Sequence, residues 1–135
     1  MRISLICLLT SILLLATINC QPESAEEIEN KIARSEQLTK LNELCGSLPK
    51  LPSMKLKFKK ISGNSDISSL YFYYERDIPW KDLMLQYDKW LSDNDWVKNE
   101  DTISGWYGTY NKGLYRIAIE TNNTQDVSIG CMKLN

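Results

Sequence analysis

Residues 54–61, Met-Lys-Leu-Lys-Phe-Lys-Lys-Ile, change character at almost every step. Alternation sets Met54, Leu56 and Phe58 on one side of an extended chain and Lys55, Lys57 and Lys59 on the other. A period of two fits a half-buried β-strand and no helix, because successive side chains of a strand point to opposite faces. Residues 69–75 repeat the pattern, with Leu70, Phe72 and Tyr74 set against Tyr71 and Tyr73. Gly63-Asn64-Ser65-Asp66 lies between the runs and supplies turn residues, so the two are expected to form an antiparallel hairpin.

The period then lengthens. Asp77 and Pro79 precede a stretch in which Trp80, Leu83, Met84, Tyr87, Trp90 and Leu91 recur at helical spacing, which predicts a helix whose apolar face covers the sheet. Aromatic and Met residues at that spacing read as core rather than as a ligand box. Ser24-Ala25-Glu26-Glu27 has the form of a capping box, and a helix is predicted over residues 24–44 with Gly46 as its stop. Its apolar positions, Ile28, Ile32, Leu38, Leu41 and Leu44, make an irregular stripe; the second half is expected to dock and the charged first half to stay in solvent. Two prolines in residues 47–53 separate this helix from the strands. A short strand is expected around Trp96, then a hairpin turning at Asn111-Lys112-Gly113, then a last strand with Val127, Ile129 and Cys131 on one face. The expected class is α+β: an antiparallel sheet of about five strands packed on one main helix, plus an N-terminal helix.

The chain starts with Met1 and Arg2 and is almost wholly apolar over residues 3–18, the pattern of a signal peptide rather than of a spanning helix. Thr17-Ile18-Asn19-Cys20 resembles the lipobox of bacterial lipoproteins, with Thr17 where Leu is usual and Asn19 where a small residue is usual. That resemblance implies acylation of Cys20 by palmitate-type chains and a membrane anchor facing the periplasm or the cell surface. The expected organisation is a signal peptide over 1–19, a lipidated cysteine and tether over 20–23, and one domain over 24–135. Of the four cysteines, Cys7 would leave with the signal peptide, so three remain and one must be special. If Cys20 carries lipid, Cys45 and Cys131 are left to form a disulfide, stapling the first helix to the last strand in an oxidising compartment.

Residues 87–96, Tyr-Asp-Lys-Trp-Leu-Ser-Asp-Asn-Asp-Trp, taken with residues 110–119, Tyr-Asn-Lys-Gly-Leu-Tyr-Arg-Ile-Ala-Ile, are similar to a family of small bacterial secreted proteins and lipoproteins without an assigned function. In that family a helix ending in Tyr-x-x-Trp-Leu and Gly-Trp precedes a strand led by Lys-Gly-x-Tyr-x-Ile; here Asp95 stands where the glycine does. The resemblance spans residues 45–133 and implies fold and address. No functional residue carries over from it.

Elimination narrows the chemistry. With 16 Lys and Arg against 17 Asp and Glu, the chain lacks the basic excess of a nucleic-acid binder. It has no histidine, so neither Ser-His-Asp nor Cys-His catalysis can be built, and two cysteines alone make a poor zinc site. Gly-x-Ser-x-Gly and phosphate-cradling glycine loops are missing as well. Asp93, Asp95, Glu100 and Asp101 cluster in a polar turn, where carboxylates are ordinarily just solvated. No enzyme, cofactor or metal is therefore expected.

What remains is a surface. Lys55, Lys57, Lys59, Tyr71 and Tyr73 are predicted to share the uncovered sheet face, joined by Arg116; Trp106, Tyr107 and Tyr110 either extend that surface or close the barrel-like end of the core. Tyrosine suits protein or sugar contact, because it buries area at small entropy cost while keeping a polar tip. The plainer alternative is a solvated face whose lysines guard an edge strand against aggregation. The function expected is that of an envelope-anchored lipoprotein acting as a binding or interaction module, its partners the membrane and a protein or cell-envelope component. The alternative is a periplasmic immunity-type protein that neutralises a secreted toxin.

Overall fold

The structure, a computed structural model, describes residues 21–63, 68–99, 107–121 and 125–135. The signal segment, Cys20, Glu100, Asp101 and Trp106 lie outside the described residues. In chain order the elements are α1 (Ala25–Arg34), α2 (Glu36–Gly46), β1 (Met54–Ser62), β2 (Ser69–Arg76), α3 (Trp80–Asp93), β3 (Val97–Lys98), β4 (Tyr107–Lys112), β5 (Tyr115–Thr121) and β6 (Asp126–Lys133). The described residues thus form an α+β fold with three helices and one open sheet of six strands, ordered β1-β2-β6-β5-β4-β3 and antiparallel throughout.

The expected single N-terminal helix is two. Ser24 and Glu27 form the capping box, and α1 runs until Ser35 becomes extended at φ −118° and ψ 120°. Ser35 Oγ then accepts from the Leu38 amide and starts α2. The break has a cause in the apolar spacing: Ile32 and Leu38 are too far apart to share the stripe of one straight helix. Restarting the helix brings them into phase, so Ile28 and Ile32 are buried along with Leu38, Leu41 and Cys45. The first half therefore docks too, contrary to its charged appearance. Gly46 is the last helical residue of α2 rather than a left-handed stop; Ser47, the residue beyond it, keeps a right-handed helical conformation.

The core lies between the helices and one sheet face. Leu41 of α2, Leu83 and Leu91 of α3, Leu70 of β2 and Ile117 and Ile119 of β5 are fully buried there. Each such side chain contributes about 1.5–3 kcal/mol by leaving water. Cys45 and Cys131 join across this core with their Cα atoms 6.0 Å apart, closing a sequence separation of 86 residues. Close approach also marks the α3 contact: a Cβ at Gly108 would stand 3.0 Å from the Met84 methyl, the flexible end of that side chain, which would have to give way.

The end of α3 explains the unusual Asp95. The Trp96 amide donates to the Leu91 carbonyl at 2.9 Å and the Asp95 amide to Ser92 at 3.2 Å. This is the double bond of a Schellman motif, with the buried pair Leu91 and Trp96 as its apolar clasp. Asp95 is the left-handed residue such a motif needs, at φ +64°, a conformation that glycine adopts without strain. The predicted hairpin turn also appears: Lys112 pairs with Tyr115, and Gly113 takes φ +57° between them.

Candidate functional site

One irregularity decides what is carried by the uncovered face, the side of the sheet that no described helix covers. Along β1 and β2, Leu56 is opposite Tyr74 and the next pair is Phe58 with Tyr73, so Lys57 has no partner of its own. An extra residue of this kind, a β-bulge, reverses the in-out alternation of everything that follows. Before it, Met54 and Leu56 lie on the helix side; after it, Lys59 and Ile61 do, opposite Phe72 and Leu70. Phe58 and Lys60 consequently lie on the uncovered face, opposite Tyr73 and Tyr71.

Two expectations from strict alternation are corrected here. Phe58 is not a core residue but is 50% exposed, stacked on Tyr73 with ring centroids 4.5 Å apart and planes 16° from parallel. Lys59 does not belong to the candidate face. Its ammonium lies on the helix side, where it donates to Glu29 of α1 at 2.6 Å and to Asn42 of α2 at 3.1 Å and sits 4.9 Å from the centre of the Phe72 ring. Its side chain is only 17% exposed. A salt bridge, a hydrogen bond and a cation–π contact together make that partial burial tolerable.

The remaining candidates stay on the uncovered face. Lys57, Tyr71 and Tyr73 line a depression of about 440 Å³ with Phe58, Lys60 and Glu120. Lys57 reaches across β2 to Asp126 at 3.2 Å, an ion pair between half-exposed groups that water screens heavily. Lys60 has no carboxylate within ion-pairing distance among the described residues. Tyr71 packs over β6, where a Cβ on Gly130 would meet its ring at 2.7 Å, and its ring centre is 6.4 Å from that of Tyr73. Burial, then Tyr71, then the Glu120 charge hold the Tyr73 hydroxyl above its ordinary range, so it stays a neutral donor and acceptor. Lys55 shares the face opposite Glu75, and Arg116 shares it two strands away with its Nε donating to Asn111 at 2.9 Å, but neither lines the depression.

Glu120 keeps the alternation of β5 and shares a face with Arg116, but Phe58 and Lys60 are residues that alternation alone does not find. Their signal is the doublet Lys59-Lys60, which breaks the period of two and announces a bulge without saying where it falls. Of the two readings open for Tyr110, the structure takes the second: it closes the core, buried under α3, with its hydroxyl donating to Asp88. Burial, reinforced by that bond and by the Asp88 charge, raises its pKa far beyond the usual phenol value. Of the acidic turn, Asp93 pairs with Lys89 at 2.6 Å and Asp95 caps the helix end. Among the described residues no three cysteine, aspartate or glutamate side chains gather as a metal site would need, and no helix is long and apolar enough to cross a membrane.

No protein-family model, curated protein or solved structure matches the chain. The geometry of the uncovered face therefore carries the functional reading.

Proposed function

We propose that this chain is an exported, lipid-anchored binding module of a bacterial envelope that holds its partner against the uncovered sheet face. The position of the β-bulge carries the reading. A bulge at the lysine doublet instead of at Lys57 would leave Phe58 on the helix side with Ile61 and send every lysine of the strand outward. The fold forgoes that segregation, leaves half of a phenylalanine in water and draws a lysine inward. Sequence and structure part company most often where a surface has work to do. Phe58, Tyr73 and Tyr71 form a rigid apolar strip, and Lys57, Lys60 and Glu120 give it polar groups of both signs for orientation. The signal-peptide pattern, the lipobox-like Cys20 and the disulfide support the address.

A photo-reactive phenylalanine analogue placed at position 58 or 73 tests the face. In the native host it should give a discrete adduct, while the same analogue at exposed Leu85 of α3 should give none. Equal labelling from all three positions would sink the proposal. Intact-mass analysis of the membrane fraction tests the anchor separately: the mature chain should begin at an acylated Cys20, and Cys20→Ser should abolish the acyl mass.

A further inference from the structure

The two edges of the sheet are unlike. β3 closes one edge with two residues, whereas β1 leaves nine residues on the other with no strand paired to their outer side among the described residues. Two of the exposed large hydrophobic residues, Leu56 at 44% and Phe58 at 50%, sit on this rim and point to opposite faces. Each adjoins a depression. Phe58 borders the one on the uncovered face, and Leu56 borders a second of about 400 Å³ on the helix side, walled by Leu48, Leu51, Met54 and Tyr74. Receptors for both rows of side chains therefore lie along one unpaired strand. That is the layout by which a sheet edge accepts an added strand, with backbone bonds giving affinity and alternate pockets giving choice.

Charge selects the occupant. Lys55 and Lys60 flank Phe58 on the uncovered side, and neither has a carboxylate within ion-pairing distance among the described residues. A second copy of β1 laid on this edge would set lysine against lysine, which is unfavourable across a strand pair. Resting on the reading of this chain as a binding module, we infer that β1 takes up an extended segment of a partner protein in which acidic and apolar residues alternate. The acidic row meets Lys55 and Lys60, and the apolar row enters the slot beside Leu56. The lysines then serve both as a guard against self-pairing and as the recognition element.

The probe is a short capped peptide alternating Glu and Val, added to the oxidised protein from residue 21 onward. Amide exchange should slow at alternate positions of Met54–Ser62 and not on β3, with the protein remaining monomeric. Replacing Glu by Lys in the peptide, or Lys55→Glu with Lys60→Glu in the protein, should weaken binding by about tenfold or more. A peptide N-methylated along both edges should not bind, which separates backbone pairing from simple charge attraction. Protection elsewhere, binding indifferent to charge or to N-methylation, or β1 protection that arises through dimerisation overturns the inference. Adducts from position 73 in the host without β1 protection by the peptide would overturn edge pairing and leave the module reading standing; failure of both would remove both.

Discussion

The two faces of this sheet are made by the same strands yet obey different rules. On the helix side, Leu70, Ile117, Ile119 and Cys131 are excluded from water, and Cys131 is covalently tied to Cys45 of α2, so this face has little tolerance for change. On the other side, Phe58 and Tyr71 each pack on Tyr73, and Tyr71 lies over the backbone of β6, with Phe58 half exposed. The difference separates the face that carries stability from the face proposed for recognition. The first face holds the fold, and the second is free to be chosen for contact.

Removing the staple should have the largest effect. Cys45→Ala with Cys131→Ala should lower unfolding free energy by about 4 kcal/mol, since a loop of 86 residues is no longer closed in the unfolded chain. A loss under about 1 kcal/mol in urea titration would show that native packing alone fixes α2. Neighbours on β5 give a sharper contrast. Ile119→Ala should cost about 3 kcal/mol, whereas Glu120→Ala, one residue on and facing solvent, should stay within about 0.5 kcal/mol. Equal losses at the two positions would erase the distinction between faces.

High pH should attack the covered face. Tyr87 and Tyr110 are both raised from 10.0, first by burial, so the folded state holds their protons more tightly than the unfolded chain does. Their contribution is complete below about pH 10 and is lost as pH rises beyond it, because the unfolded chain ionises first. Urea midpoints should therefore fall above about pH 10, and less steeply in Tyr87→Phe with Tyr110→Phe; an unchanged slope would assign the alkaline loss elsewhere. On the open face, Gly130→Ala should cost only about 1 kcal/mol, because the added methyl displaces a partly exposed Tyr71 ring rather than core. Phe58→Ala should lower stability by under about 1 kcal/mol while removing the host adduct from position 73.

Much of this architecture is legible in the chain, and the exceptions have physical causes. The period-two runs, the stripe of α3, Gly113 in its turn and the partnering of Cys45 with Cys131 all follow from local pattern or from counting. The break at Ser35 is signalled by the long gap between Ile32 and Leu38, but a gap also fits a poorly docked helix, and the packing of α1 against both α2 and β1 decides between them. The candidate face was partly legible. Tyr71, Tyr73 and Lys57 belong to it, while Lys59 and Phe58 exchange sides at the bulge, which turns Lys59 toward Glu29, Asn42 and Phe72, all distant in sequence. Asp95 was legible only as a departure from glycine; its left-handed backbone shows why glycine belongs there, and Asp95→Gly should raise stability by about 0.5–1 kcal/mol in thermal or urea unfolding.

The bulge at Lys57 has a last consequence, for insertion and deletion. A chain shorter by that one residue would keep Phe58 outward, Lys59 inward and Ile61 in the core, because the pairs on either side already follow one another in register. The strand would lose its kink and nothing else would change sides. A residue removed at the lysine doublet, with the bulge kept, would instead turn Ile61 out of the core. Deletion tolerance along β1 should therefore be sharply local, with position 57 the cheapest residue in the strand to lose and its immediate successors among the most costly.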